Sequence, residues 1–190
     1  GMVKLMNDSE NGLTANTYNV TIHGTADEIV TGIVSATVDA ANVPANLSSI
    51  LSKKTDGAVS VAAVNTLGVL YVVETGDSIS SVADLKGKTI YSTGKGTTPE
   101  YVLNYVLRQP FVTVASTKNE NIRICLDMTE EWNKVCDTQL ITGVVIGRND
   151  FIDSNKDAFN TFLDEYSASV EYVNANVDEA AALIGGYVHR

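Results

Sequence analysis

Histidine, cysteine, tryptophan and basic residues are all scarce in this chain, and each scarcity removes a class of chemistry. There are two histidines in 190 residues, His23 and His189, and no H-x-x-x-H or Cys/His cluster that would hold a metal. A nucleophile–base pair would have to bring His23 to a serine or cysteine that nothing in the sequence singles out, so no catalytic residue and no cofactor is expected. Cys125 and Cys136 match no zinc or thioredoxin spacing. They read as small buried hydrophobes, and sequence alone leaves a disulfide between them open. Lys and Arg number 13 against 23 Asp and Glu, a formal net charge of -10 with no dense basic run. Such a chain repels phosphate backbones and anionic lipid surfaces, which excludes nucleic-acid and membrane-surface binding. No apolar run approaches the roughly 20 residues of a membrane span. No basic-then-apolar leader opens the chain; Gly1-Met2 runs straight into a helix-like segment, which reads as a truncated start.

What is present is alternation. Hydrophobic residues make up 44%, enough for a folded core. A helix is expected over Met2 to Asp8, then a period-two strand over Tyr18 to His23. Thr25-Ala26-Asp27-Glu28 has capping-box spacing and opens a helix. A strand near Val38 to Val43 leads to Pro44, which suits the start of a helix reaching Lys53. Ala58 to Asn65 and Leu67 to Glu74 are nearly continuous apolar runs, the pattern of strands buried on both faces. One helical turn over Ser81 to Leu85 precedes a strand over Lys88 to Ser92 and a helix from Pro99 to about Leu107. A short helix is expected over Pro110 to Ser116, a strand over Ile122 to Leu126, a helix over Thr129 to Val135 and a strand over Leu140 to Ile146. The tail is helical, with Phe159, Phe162, Leu163, Tyr166, Val170 and Val173 on one side, and a last helix runs to about Tyr187. This order predicts an α/β fold with a mostly parallel sheet.

Ligands of open α/β sheets bind outside the carboxyl ends of the strands, so the loops there carry the candidate chemistry. Ser92-Thr93-Gly94-Lys95-Gly96-Thr97-Thr98-Pro99 joins a strand to a helix. Its glycines permit close backbone approach, and its helix start, hydroxyls and Lys95 suit a carboxylate, sulfonate, phosphate or polar ring edge. It is neither a Walker A loop nor a dinucleotide fingerprint, and an ordinary capped helix explains it too. Asn42-Val43-Pro44-Ala45-Asn46 also lies before a helix, where amides bind or cap. Asn65-Thr66-Leu67-Gly68-Val69-Leu70 joins two apolar strands without a helix between them, as a chain crossing between lobes would, or as a simple bend or bulge at Gly68. Trp132 is the sole tryptophan, a stacking candidate or a half-buried core ring.

In this order, the Asn42–Asn46 segment, the double strand through Thr66-Leu67-Gly68, Ser81-Val82-Ala83-Asp84-Leu85-Lys86-Gly87-Lys88 and Gly94-Lys95-Gly96-Thr97 resemble the solute-binding proteins of ABC importers. The similarity is strongest to the branch handling nitrate, sulfonates, taurine and thiamine-pyrimidine precursors. Pro110-Phe111-Val112 is similar to a cleft-facing Pro-Phe loop of such proteins. The resemblance implies a two-lobed, type 2 periplasmic-binding-protein-like fold: lobe 1 over 1–67, lobe 2 over 68–146, and C-terminal helices over 147–190 returning to lobe 1. It implies a cleft lined by Asn42, Pro44, Ala45, Asn46, Thr66, Leu67, Gly68, Thr93, Gly94, Gly96, Thr97 and Thr98, with Trp132 and Thr142 as weaker members. It further implies a small-molecule solute, anionic or heterocyclic, an ABC permease partner, a monomer, and an extracytoplasmic setting, in the periplasm or as a surface lipoprotein. Against the family pattern the first strand is lacking, and Pro110 follows Gln109 where a strand, a helix and another strand are expected, so a gap or deletion at 109/110 shortens lobe 2. Two other readings compete: an enzyme of thiamine-pyrimidine synthesis on the same fold, and a single-lobe regulatory α/β domain.

Overall fold

The computed structural model describes residues 1–106 and 122–188. They fall into two units: Gly1–Ala41, Ala58–Ala63 and the chain from Gly147 onward form the first, and Asn42–Gly57 with Val64–Ile146 the second. This division differs from the sequence-based one in grouping Asn42–Gly57 and Val64–Leu67 with the second unit.

The first unit is built on helices. α1 (Met2–Glu10) buries Val3 and Leu5, and α7 (Lys156–Ala175) buries Phe159 and Tyr166. The two helices touch, and the Leu5 N–H donates to Ser169 Oγ at 3.0 Å. Each such apolar side chain removed from water stabilises by about 1.5–3 kcal/mol. α2 (Ala26–Val34) packs through Val30 and Ile33, with Asp27 and Glu28 favourably placed in its first turn. The capping box read at Thr25 is not made: Thr25 makes no side-chain cap, and the Glu28 carboxylate instead lies 3.1 Å from His23 Nδ1. α6 (Asn149–Ser154) and α8 (Val177–Val188) complete this layer.

β1 (Ala40–Pro44), β5 (Ile141–Arg148) and β2 (Val59–Leu67) form a sheet in the order β1-β5-β2. Val144, Val145 and Ile146 of β5 are buried. α3 (Ala45–Lys54) starts where β1 ends and buries Leu47 and Leu51.

In the second unit β3 (Tyr71–Thr75) and β4 (Ile122–Asp127) pair antiparallel, with Tyr71 opposite Asp127 and Thr75 opposite Ile122. Under them lie two apolar clusters. Ile79, Leu85 and Leu126 gather Val72 and Ile90. Val102 of α4 (Thr98–Val106), Met128 of α5 (Met128–Asn133) and Leu140 gather Leu70, Leu103 and Trp132. The helical turn at Val82–Leu85 carries a capping box between Ser81 and Asp84. Three hydrogen-bond donors there, the Ser80 N–H first, then the Ser81 hydroxyl and the Ser81 N–H, hold the Asp84 carboxyl below the usual carboxylate range.

Three expectations are corrected. Tyr18–His23 has strand alternation but forms no strand, because no neighbouring strand supplies a ladder among the described residues. Side chains hold its start instead: Tyr18 donates its hydroxyl to the Glu165 carboxylate and packs its ring 5.8 Å from Phe162. Lys88–Ser92 likewise joins no sheet among the described residues and carries one bridge residue, Thr89; the pair that forms in this unit, β3 with β4, is antiparallel. The apolar runs of β2 and β3 are not buried on both faces: Val61, Val64, Leu67, Tyr71 and Val73 are about half exposed. The helix expected at Pro110–Ser116 and the Gln109–Pro110 junction lie outside the described residues.

Candidate functional site

All the sequence-selected loop residues belong to the second unit, and most of them gather into two hydrogen-bonded groups. The first is centred on Asn46. Pro44, with φ -54 and ψ 139, ends β1 and caps α3, so Ala45 and Asn46 occupy the first helical turn. There the Asn46 amide reaches fifty residues along the chain in both of its roles. Its Nδ2 donates to the Gly96 carbonyl at 3.1 Å, and its Oδ1 accepts from the Thr98 hydroxyl at 3.1 Å. Thr98 is buried at 7% exposure. A buried hydroxyl of this kind costs about 1–3 kcal/mol if left unpaired, so this contact holds the two loops together.

Gly94 and Gly96 both have φ +75, a backbone region that disfavours side chains. They fold the loop so that the Thr97 N–H and hydroxyl both donate to the Gly94 carbonyl, at 2.9 and 2.6 Å. The loop's donors are not all open to a ligand. Glu100 Oε2 accepts the Gly96 N–H, placing a carboxylate at the point where an anion was expected. Sequence reasoning missed Glu100, although Thr97-Thr98-Pro99-Glu100 has the T-x-x-E spacing of a capped helix start.

The second group runs from β1 across to β2 and β5. Asn65 Nδ2 donates to Asn42 Oδ1 at 2.7 Å, and the Thr66 hydroxyl donates to Asn65 Oδ1 at 3.0 Å. The Thr142 hydroxyl donates to the Thr66 carbonyl at 3.3 Å. Gly143 sits under this chain with no room for a side chain, since a Cβ there would stand 2.5 Å from Asn65 Oδ1. Asn65 opens the segment that the sequence singles out between the two apolar strands, although the resemblance does not place it among the cleft residues.

Gly68 and Val69, at φ +68 and +65, make the bend after Leu67. A Cβ on Gly68 would meet Thr129 Oγ1 at 2.3 Å, and the Gly68 N–H donates to the Leu140 carbonyl at 2.9 Å. Trp132 stands apart from both groups. Its ring lies 5.0 Å from that of Tyr105, and its Nε1 donates to the Thr138 carbonyl at 2.8 Å, so packing explains it. Thr93 lines a cavity beside β3. Neither Cys125 nor Cys136 is in a disulfide, and Cys125 donates its thiol to the Val72 carbonyl at 3.2 Å. Among the described residues no group of three or more His, Cys, Asp or Glu could hold a metal ion, and no helix is long and apolar enough to cross a membrane.

No family model matches this chain, and no curated protein matches it either. Solved structures do. An ABC transporter protein from Parabacteroides distasonis aligns at TM-score 0.71 and 15% identity, over 98% of this chain and 74% of that one. The periplasmic aliphatic sulphonate binding protein SsuA from Escherichia coli aligns at TM-score 0.70 and 11% identity, over 99% and 75%. A Candida albicans gene product described as having the generic periplasmic binding protein fold aligns at TM-score 0.58 and 17% identity, over 97% and 72%. At these identities the likeness establishes a shared fold, an α/β architecture of sheets flanked by helices, in a chain about three quarters as long as these neighbours.

Proposed function

We propose that this periplasmic-binding-protein fold captures a small-molecule solute at the loops Asn42–Asn46, Thr66–Gly68 and Thr93–Thr98 and delivers it to an ABC-type import permease. The observation that carries the reading is the Asn46 amide, which ties the start of α3 to the glycine loop before α4. Two helix starts joined by one side chain form a preorganised polar surface, and neither loop is explained by its own cap alone. The solute is a neutral polar molecule or heterocycle in preference to a simple anion, because Glu100 already answers the Gly96 N–H. This work is non-enzymatic and takes place outside the cytoplasm, as it does for the periplasmic sulphonate binder of the same fold.

Mass spectrometry of the gently purified chain, native and then denatured, tests the capture. A native mass a few hundred daltons above the 20.3 kDa chain would reveal a retained solute and identify it. For a solute so identified, Asn46→Ala is expected to weaken binding about tenfold or more, since both loops lose their shared hydrogen bonds. Unchanged affinity in a folded Asn46→Ala variant would remove these loops from the site.

A further inference from the structure

The end of α1 holds a reactive pair that the solute reading does not use. Asn11 is followed by Gly12, and it is the only asparagine in the chain with a glycine after it. The carboxamide of an asparagine can be attacked by the backbone nitrogen of the next residue. Glycine hinders that attack least, because it has no Cβ. Both residues are exposed, and a Cβ on Gly12 would meet nothing within 4 Å, so water and hydroxide reach the pair.

The fold restrains the pair. Asn11 is the C-cap of α1, at φ -92 and ψ 4, and Gly12 follows at φ +67. The Gly12 N–H donates to the Ser9 carbonyl at 3.1 Å, and the Leu13 N–H donates to the Asp8 carbonyl at 2.9 Å. These are the two bonds that close a helix through a left-handed glycine. The Asn11 Nδ2 donates to the Asn7 carbonyl at 2.7 Å. The nucleophile therefore keeps its proton on one carbonyl, while the carboxamide is turned back one helical turn towards another. Attack requires both bonds to open. Such caps are frequently clasped by an apolar contact between the residue after the glycine and the last turn of the helix. Here that residue is Leu13, which is 72% exposed, and Asn7 and Asp8 opposite it are polar. A helix end without the clasp, made of exposed residues, opens at little cost.

We infer that Asn11–Gly12 is a self-modifying site gated by the fraying of α1. When the cap opens, the Gly12 nitrogen gives its proton to hydroxide and bonds to Asn11 Cγ. The Cγ–Nδ2 bond breaks, and the amide nitrogen takes a proton from water and leaves as ammonia. Water then opens the cyclic imide at one of its two carbonyls. One opening leaves aspartate at position 11. The other routes the backbone through the side chain and leaves isoaspartate, with an extra methylene in the chain. Nothing is oxidised or reduced, and the co-reactant is water. Either product places a carboxylate at the C-terminal end of α1, where the helix dipole disfavours it, and isoaspartate also breaks the spacing of the cap. The change bears on α8, because Glu10, next to the site, accepts the Tyr187 hydroxyl at 3.0 Å and α1 touches α8.

The test incubates the whole chain at mildly alkaline pH beside a synthetic peptide of residues 8–15 with blocked ends. Peptide mapping by mass spectrometry follows both. Asn11 is expected to convert before any other asparagine, about tenfold more slowly in the folded chain than in the peptide. The rate in the chain is expected to climb towards that of the peptide as urea is raised below the unfolding midpoint. Asn11→Gln removes the five-membered ring of the imide and is expected to abolish the conversion. Converted chain, separated by anion exchange, is expected to exchange the amides of α1 and α8 faster than unconverted chain, and by more than Asn11→Asp does, since that variant adds the charge without the methylene. Equal rates in chain and peptide, a rate indifferent to urea, or earlier conversion at another asparagine would overturn the inference. So would an unconverted chain after the peptide has reacted fully, or unchanged exchange in α1 and α8 after conversion.

Discussion

Glu100 sets the electrostatic character of the glycine loop. Its carboxylate accepts the Gly96 N–H at the start of α4, where the helix macrodipole favours negative charge. An incoming sulfonate or carboxylate would have to displace it and would meet like-charge repulsion until it did. Glu100→Gln keeps the hydrogen-bonding shape and removes the charge. The variant is expected to raise affinity for small anions such as ethanesulfonate or nitrate about tenfold over the unaltered chain, read by calorimetric titration. Equal affinity in the two proteins would mean that Glu100 does not face the ligand. Val69 is a second residue whose conformation stands out. A β-branched side chain at φ +65 costs about 1–2 kcal/mol, and the bend it shares with Gly68 ends β2 beside the Asn65–Thr66 group.

The elements show where sequence reasoning reached and where it stopped. The alternation of Tyr18–His23 was legible, but a strand is a relation between two segments, and the sequence does not reveal whether a partner is present. The same holds for Lys88–Ser92. Helices carry their own hydrogen bonds, so α3, α4 and the α7 stripe were found within a few residues. The loop residues at helix starts were legible by type, while the pairing of Asn46 with Gly96 and Thr98 was not, because it spans fifty residues. The Tyr18 segment also has a consequence in alkali. Burial, with the hydrogen bond to Glu165 behind it, pushes the Tyr18 hydroxyl up to about 12 from its ordinary 10.0. A raised pKa of this kind means that its stabilising contribution is complete below pH 10 and is lost as pH climbs towards 12. Urea midpoints measured from about pH 9 to about pH 11.5 should fall, and fall less steeply in Tyr18→Phe. Some slope should persist, since the Tyr172 hydroxyl, donating to Glu179, is shifted the same way. Identical slopes in the two proteins would show that the segment is not anchored at Tyr18 in solution.

At the scale of the whole molecule the dominant physical fact is the charge of -10. Lys4–Asp8, Lys134–Glu131 and the Arg148 pairs with Asp39 and Asp150 satisfy individual groups locally. They leave the sum unchanged. Many of the acids sit in first helical turns, such as Asp27, Glu28, Glu130, Glu131, Asp178 and Glu179, where each is locally favourable. Local benefit and global repulsion therefore oppose each other, and salt weakens both. The helix-terminus attractions act within one turn, well inside the Debye length of about 10 Å at 0.1 M salt, whereas repulsion among acids spread over the chain acts beyond it. Screening should remove more repulsion than attraction, because an excess of one sign destabilises the folded state. The melting temperature is expected to rise by a few degrees as sodium chloride goes from about 10 mM to about 150 mM, measured by circular dichroism. A fall over that range would show that the local pairs and helix-terminus acids outweigh the net charge, and that the fold is held electrostatically by its elements one at a time.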